Sequence, residues 1–272
     1  MSPLTRSDIV TRLRAAGCVF AEDEARLLVS AGQTPADLAA SVERRVSGEP
    51  LEHILGWVEF AGLRIIVEPG VFVPRHRTEF LVRQAVRMTA TTSTRALVLD
   101  LCCGSGAVGV AVAAALDGVE LHAADIDPAA VRCARRNVTP VGGRVFEGDL
   151  FDALPGELFG RIDVLVANAP YVPTRDIRLL PPEARLHESR TALDGGLDGL
   201  DVLRRVATGA VRWLAPRGHL LVEAGPQQVP QVIEAFARSG LVPRVAQNRS
   251  DDHDSTVVVG AMPESPGPGE NG

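Results

Sequence analysis

From about residue 78 to residue 260, short apolar runs alternate with longer stretches of helical spacing, and this alternation constrains the fold more than any other feature. The runs fall at 96–101, 120–124, 144–146, 162–167, 219–223, 242–246 and 256–260, with helices fitting between most of them. Runs of four to eight apolar residues bounded by turn residues read as buried strands, and strand–helix alternation implies an open, mostly parallel α/β sheet. Ligands of such sheets sit at the carboxyl ends of the strands, near the point where strand order reverses. The residues that follow each run therefore carry the functional information.

The first 50 residues read differently. Ile9, Leu13 and Ala16, then Ala25, Leu28 and Val29, have helical spacing, and Ser7 and Thr34-Pro35 look like helix starts. Ser47-Gly48-Glu49-Pro50 breaks the pattern, and two extended pieces at 57–60 and 63–67 flank Ala61-Gly62, which reads as a hairpin. The expected organisation is a helical unit at 1–50, a β-hairpin linker at 51–77, an α/β domain at 78–261 and a disordered tail at 262–272.

Charge and cysteine content exclude several classes. All 28 basic residues are Arg, and the net charge of −6 gives no reason to expect tight duplex DNA or anionic membrane binding. The four cysteines, Cys18, Cys102, Cys103 and Cys133, form no CxxC pair, which argues against a disulfide framework or zinc site and suits a reducing cytoplasm. The histidines lack metal-ligand grouping. No signal peptide is visible, and the longest apolar stretch, 107–116, is too short to span a bilayer.

The first run ends Asp100-Leu101 and continues Cys102-Cys103-Gly104-Ser105-Gly106-Ala107-Val108-Gly109. The last six are a literal GxGxxG, in which glycines let the backbone turn and approach a ligand at a helix N-terminus. Alone it fits dinucleotide sites equally well. Asp100, however, would repel a pyrophosphate and suits a ligand carrying an ammonium and a sulfonium, as S-adenosylmethionine does. Asp125 ends the second run, where a short acid accepts from ribose hydroxyls in either cofactor class. Asp149 follows the third and can accept from an adenine amino group, with Leu150 packing on the ring. Asp127 and Asp152 read as cap or turn residues, and Cys102 and Cys103 as small packing residues.

The run at 162–167 leads into Asn168-Ala169-Pro170-Tyr171, which contains the only tyrosine of the chain. Asn-Pro-Pro-Tyr in that place marks enzymes that methylate a planar NH2 nitrogen. With Gly48 to Phe60, Val73-Pro74-Arg75-His76-Arg77-Thr78-Glu79, Ala192 to Leu200 and Leu220-Leu221-Val222-Glu223-Ala224-Gly225 in order, the chain resembles the protein-(glutamine-N5) methyltransferases, the HemK/PrmC-like family.

The resemblance implies a class I S-adenosylmethionine-dependent methyltransferase domain, Rossmann-like with a seven-stranded mostly parallel sheet, and a helical N-terminal domain that reads a protein substrate. It implies S-adenosylmethionine held by Asp100, Cys102, Gly104, Ser105, Gly106, Asp125, Asp149, Leu150 and Asn168. The catalytic residues it implies are Asn168, Ala169, Pro170 and Tyr171, and the acceptor is the Gly-Gly-Gln loop of a peptide release factor, or else a ribosomal protein. A monomer is expected, with no direct nucleic-acid or membrane partner.

Three departures stand out: Cys102 replaces the first Gly of the loop, His76 a Pro, and Ala169 the first Pro of Asn-Pro-Pro-Tyr. By the family's geometry the Asn168 side-chain oxygen and the backbone carbonyl of residue 169 accept from the acceptor nitrogen. Ala supplies that carbonyl as Pro does but loses the locked φ, while Pro170 still holds Ala169 towards extended conformations. Arg75 and Glu79 are expected to pair at the domain junction. An adenine-N6 methyltransferase, an NAD-dependent oxidoreductase and a non-catalytic adaptor remain as competing readings.

Overall fold

The computed structural model describes residues 4–89, 95–249 and 254–264. Three helices come first: α1 (Arg6–Ala15), α2 (Ala21–Ser30) and α3 (Pro35–Val46), followed by the short α4 (Leu51–Leu55). Ile9, Leu13, Ala25, Leu28 and Val42 are fully buried together, with Leu51 and Ile54 of α4 completing the cluster. Thr34 caps α3 with Pro35 in the first turn, as the sequence predicts. The start of α1 is corrected from Ser7 to Thr5, whose hydroxyl accepts the Asp8 N–H while Asp8 reaches back to the Thr5 N–H. Such a reciprocal cap satisfies two orphan donors, which Ser7, two residues later and inside the helix, cannot do.

The hairpin forms as expected. β1 (Trp57–Phe60) and β2 (Leu63–Ile66) pair antiparallel, and Ala61 and Gly62 both take positive φ, 52° and 74°. Two left-handed residues in a two-residue loop match the twist of the strands.

The rest builds one seven-stranded sheet: β3 (Leu97–Leu101), β4 (Glu120–Asp125), β5 (Arg144–Glu147), β6 (Ile162–Ala167), β7 (Leu214–Glu223), β8 (Val242–Asn248) and β9 (Ser255–Ala261). The order is β5-β4-β3-β6-β7-β9-β8, with β9 antiparallel to both neighbours and the other pairings parallel. All seven expected strands are present. β7 begins five residues before its expected start because it bends at Arg217 (φ 66°) and Gly218, where the register against β6 shifts.

Alternate strand residues serve opposite faces. Val98, Ala123, Val164, Val166 and Leu221 point to a layer made by α5 (Glu79–Thr89), α6 (Ala107–Ala114) and α7 (Pro128–Val138). Leu97, Leu99, Leu165, Leu220 and Val258 point to the other. After the small α8 (Pro182–His187) and α9 (Arg190–Leu193), that second layer is made by α10 (Asp201–Trp213) and α11 (Val229–Arg238). Burial on both faces is why these strands read as continuous apolar runs; each fully buried Leu or Val contributes about 1.5–3 kcal/mol. Strand order reverses at β3, with β4 on one side and β6 on the other, so the β3 loop opens at the switch point.

Among the described residues no helix is long and apolar enough to cross a membrane, and no group of His, Cys, Asp and Glu is arranged to hold a metal. Of the expected tail, 262–264 are described as coil; 265–272 and His253 lie outside the described residues.

Candidate active site

A cavity of about 900 Å³ opens over the carboxyl ends of β3, β4 and β6. It is lined by Asp100, Cys102, Gly104, Ser105, Asp125, Asp149, Leu150 and the whole of Asn168 to Tyr171. Of the residues expected to bind cofactor or acceptor, all line this cavity except Gly106. Gly106 stands behind it as the left-handed cap of α6 (φ 77°), where a Cβ would lie 2.7 Å from Val138.

Asp100 is buried at the end of β3, and its carboxylate accepts the Gly109 N–H of α6 at 2.8 Å. Burial pushes its pKa up to about 7, against the opposing hydrogen bond. Gly109 must lack a side chain, since a Cβ there would sit 2.8 Å from Leu121 and 3.0 Å from the Asp100 Cβ. Cys102 takes a left-handed φ of 57° in the turn, a conformation a glycine would adopt without strain. Burial raises the Cys102 and Cys103 thiol pKa values, so neither is a ready nucleophile.

Asp125 ties the loop to β4: one oxygen accepts the Gly104 N–H at 2.8 Å and the other the Asp127 N–H at 2.9 Å. Burial raises its pKa as well. Each carboxylate oxygen retains a second lone pair for a ligand. Asp127 caps α7 through the Ala129 N–H, as expected. Asp149 is engaged by Arg205 of α10 at 2.7 Å, a partner the sequence did not reveal.

The Ser105 hydroxyl and the Asn168 Oδ1 are buried without hydrogen-bond partners among the described residues. Buried polar atoms are paired in nearly all proteins, so these two mark places for ligand donors and acceptors. The cavity that holds them thus fits a cationic, hydroxyl-bearing cofactor on one side and an N–H donor on the other.

The Asn168–Tyr171 loop is clamped from behind by residues 193–199. The Val172 N–H donates to Leu193 O and the Gly195 N–H to Val172 O, at 3.1 and 2.9 Å. Cβ atoms at Gly195 and Gly199 would lie 2.6 Å from Pro170 O and 2.3 Å from Tyr171 O, so both positions require glycine. Gln228 Nε2 donates to Tyr171 O at 3.0 Å. The Tyr171 hydroxyl accepts from Arg77, and burial raises its pKa.

The expected Arg75–Glu79 pair does not form. Arg75 bonds Glu188 at 2.5 Å, while Glu79 meets His76 at 3.0 Å and accepts the Ala61 N–H. Arg75 is extended (φ −100°, ψ 139°) ahead of the tight turn at His76–Thr78, and its guanidinium answers the buried Glu188 carboxylate rather than the more exposed Glu79. Glu188 lines the cavity, and burial raises its pKa. Arg77, Glu188, Arg205 and Gln228 were invisible in the sequence because each meets its partner across the fold.

The model of the methyltransferase small domain family matches residues 62–198. Over 211 residues the chain is 43% identical to the release factor glutamine methyltransferase of Geobacter sulfurreducens, covering 76% of this chain and 72% of that protein. It is 39% identical over 214 residues to a 4-amino-L-phenylalanine/4-methylamino-L-phenylalanine methyltransferase of Streptomyces pristinaespiralis, covering 77% and 73%. A solved methyltransferase from Pyrococcus furiosus matches with a TM-score of 0.55 at 15% identity, covering 74% of this chain and 90% of that one, and so shares the fold.

Proposed function

The chain belongs to the family of the release factor glutamine methyltransferases, and on that premise we propose that it transfers a methyl group from S-adenosylmethionine to the side-chain amide nitrogen of a glutamine in the Gly-Gly-Gln loop of a peptide release factor. The observation that carries the reading is the buried Oδ1 of Asn168, without a hydrogen-bond partner among the described residues, at the cavity that Asp100 and Asp125 line.

Bound S-adenosylmethionine supplies an electrophilic methyl on a sulfonium. Asp100 would pair with its ammonium, Asp125 would accept from the ribose hydroxyls, and Asp149 would accept from the adenine amino group over Leu150. Ser105, with its unsatisfied hydroxyl, would meet a polar group of the same ligand.

A glutamine amide nitrogen is a poor nucleophile because its lone pair is delocalised into the carbonyl. Asn168 Oδ1 and the Ala169 carbonyl would accept its two hydrogens, turning the lone pair towards the methyl. Tyr171 would wall the site and exclude water. The cofactor would give up its methyl and remain as a neutral thioether, and the methylated nitrogen would release its proton as solvent returns to the site. Positioning of this kind can supply about 7–11 kcal/mol of the barrier. The helices before the hairpin are proposed to read the acceptor protein, as a unit distinct from the α/β domain.

A second acceptor class is favoured by one observation, the likeness to the 4-amino-L-phenylalanine enzyme. An aryl amine also delocalises its lone pair, and the same two acceptors would serve it. The test is mass spectrometry of a release factor from the source organism, and of free 4-amino-L-phenylalanine, after incubation with protein and S-adenosylmethionine. One added methyl on the Gly-Gly-Gln glutamine is expected. Methylation of the aryl amine alone would move the assignment to that class, and transfer to neither would overturn both.

A further inference from the structure

Glu223 closes β7, one residue beyond Val222, which pairs with Ala167 of β6, so it stands level with Asn168 on the adjoining strand. It is also held on its other side by its register with Val257 of β9. Its side chain is 7% exposed, yet both oxygens are satisfied: Oε1 by Arg77 Nε at 2.8 Å and Oε2 by the Thr78 hydroxyl at 2.7 Å. The same Arg77 guanidinium sends Nη2 to the Tyr171 hydroxyl, and the Arg77 carbonyl accepts from Ser255 of β9 at 2.9 Å. Three segments remote in sequence, at residues 77–78, 171 and 223, thus converge on one hydrogen-bonded chain that reaches the cavity wall.

We propose that Arg77 and Glu223 are positioning residues that fix the Tyr171 ring as a wall of the acceptor pocket, Glu223 acting through Arg77. The inference rests on the reading that Tyr171 packs against the acceptor nitrogen. The sheet holds Glu223 rigidly. A buried carboxylate without a partner is costly, so it holds Arg77 in turn. The planar fork of a guanidinium donates in two directions at once, which a lysine ammonium on a flexible stem does not reproduce. Pinning the hydroxyl removes the freedom of the ring to swing, so its cost in entropy is met before the acceptor arrives. This device substitutes in part for the stiffness that the loop forgoes by carrying Ala169 in place of proline.

Because Tyr171 is the only tyrosine, the phenolate absorbance of the whole protein titrates this one group. The charges facing it are Arg77, Glu223 and Arg75, and burial raises its pKa while Arg77 opposes that rise. In Arg77→Gln the titration moves to higher pH, and in Glu223→Gln to lower pH. A titration unmoved by Arg77→Gln overturns the lock whatever the activity shows. If wild-type protein methylates no acceptor, the functional reading fails while the titration still decides the network.

Kinetics test the positioning. Arg77→Ala and Tyr171→Phe each lower kcat roughly ten- to hundredfold, the range expected for a charge-assisted hydrogen bond, with S-adenosylmethionine affinity unchanged. The double variant is expected to be no slower than the slower single one, since Arg77 acts through the hydroxyl. Multiplying losses would overturn that route, as would a fall in cofactor affinity without loss of kcat. Should Glu223→Gln fail to fold, the Arg77 and Tyr171 variants carry the same decision.

Discussion

The buried Asp100 carboxylate accepts the N–H of Gly109 at 2.8 Å, joining the end of β3 to the first turn of α6 around the glycine loop. That single bond leaves most of its burial uncompensated, and its pKa stands at about 7. An acid whose folded pKa lies above its unfolded value of about 3.9 holds a proton in the folded state that the unfolded chain has released. Its contribution to stability is therefore neutral below about pH 4 and falls as pH rises to about 7, by roughly 1.4 kcal/mol per pH unit. It is flat above. Asp100→Asn keeps an oxygen for Gly109 and removes this penalty. The variant is expected to melt higher than wild type at pH 8 and to match it near pH 4, as read by thermal denaturation across pH.

The same residue predicts a pH-dependent cofactor affinity. A cationic ligand binds the ionised carboxylate, so S-adenosylmethionine affinity should rise as pH increases from 6 to 8, with proton release on binding. Calorimetry in buffers of different ionisation heat measures both. Asp100→Asn should bind more weakly and lose this component of the pH dependence.

Asn168→Ala removes the acceptor that the site leaves unsatisfied. Transfer should fall by about a hundred- to a thousandfold, on the scale of losing an oriented polar group at a reacting centre. S-adenosylmethionine should still bind within a few-fold of wild type. A variant with wild-type turnover in single-turnover assays would remove Asn168 from the chemistry.

Gly199→Ala tests the clamp behind the loop. Its φ is 81° and a Cβ would lie 2.3 Å from Tyr171 O, so backbone must move. A loss of about 1–3 kcal/mol in stability is expected from the strained conformation alone, together with a fall in kcat larger than any change in cofactor affinity. Chemical denaturation and steady-state kinetics on the same preparation separate the two.

Arg45 ties the helical unit to the cavity rim. It bonds Glu24 at 2.6 Å and Glu183 of α8 at 2.5 Å with its side chain only 9% exposed. Arg45→Met breaks both pairs and should increase hydrogen exchange in α8. It should also raise KM for the intact release factor while leaving cofactor affinity unchanged. Unchanged exchange in α8 would show that the pair does not hold that segment.

Much of this molecule was readable in advance. The run at 162–167 is apolar because both sheet faces bury it, and it is a strand with those same bounds in the structure. The glycine loop, the acids at successive strand ends and Asn168 to Tyr171 were legible because each is a short contiguous segment, and chain connectivity alone delivers it to the carboxyl edge of the sheet. Strand periodicity, turn chemistry and motif spacing are local quantities, and local quantities survive in a linear sequence. Pairings across the fold do not. Arg75 was expected to reach Glu79, four residues away, and instead meets Glu188. Arg77 bridges Glu223 and Tyr171, and Arg205 holds Asp149, over separations set by the order in which strands pack. A charged side chain has many sequence-compatible partners, and only the tertiary structure, by burying one of them beside it, decides which desolvated charge must be answered.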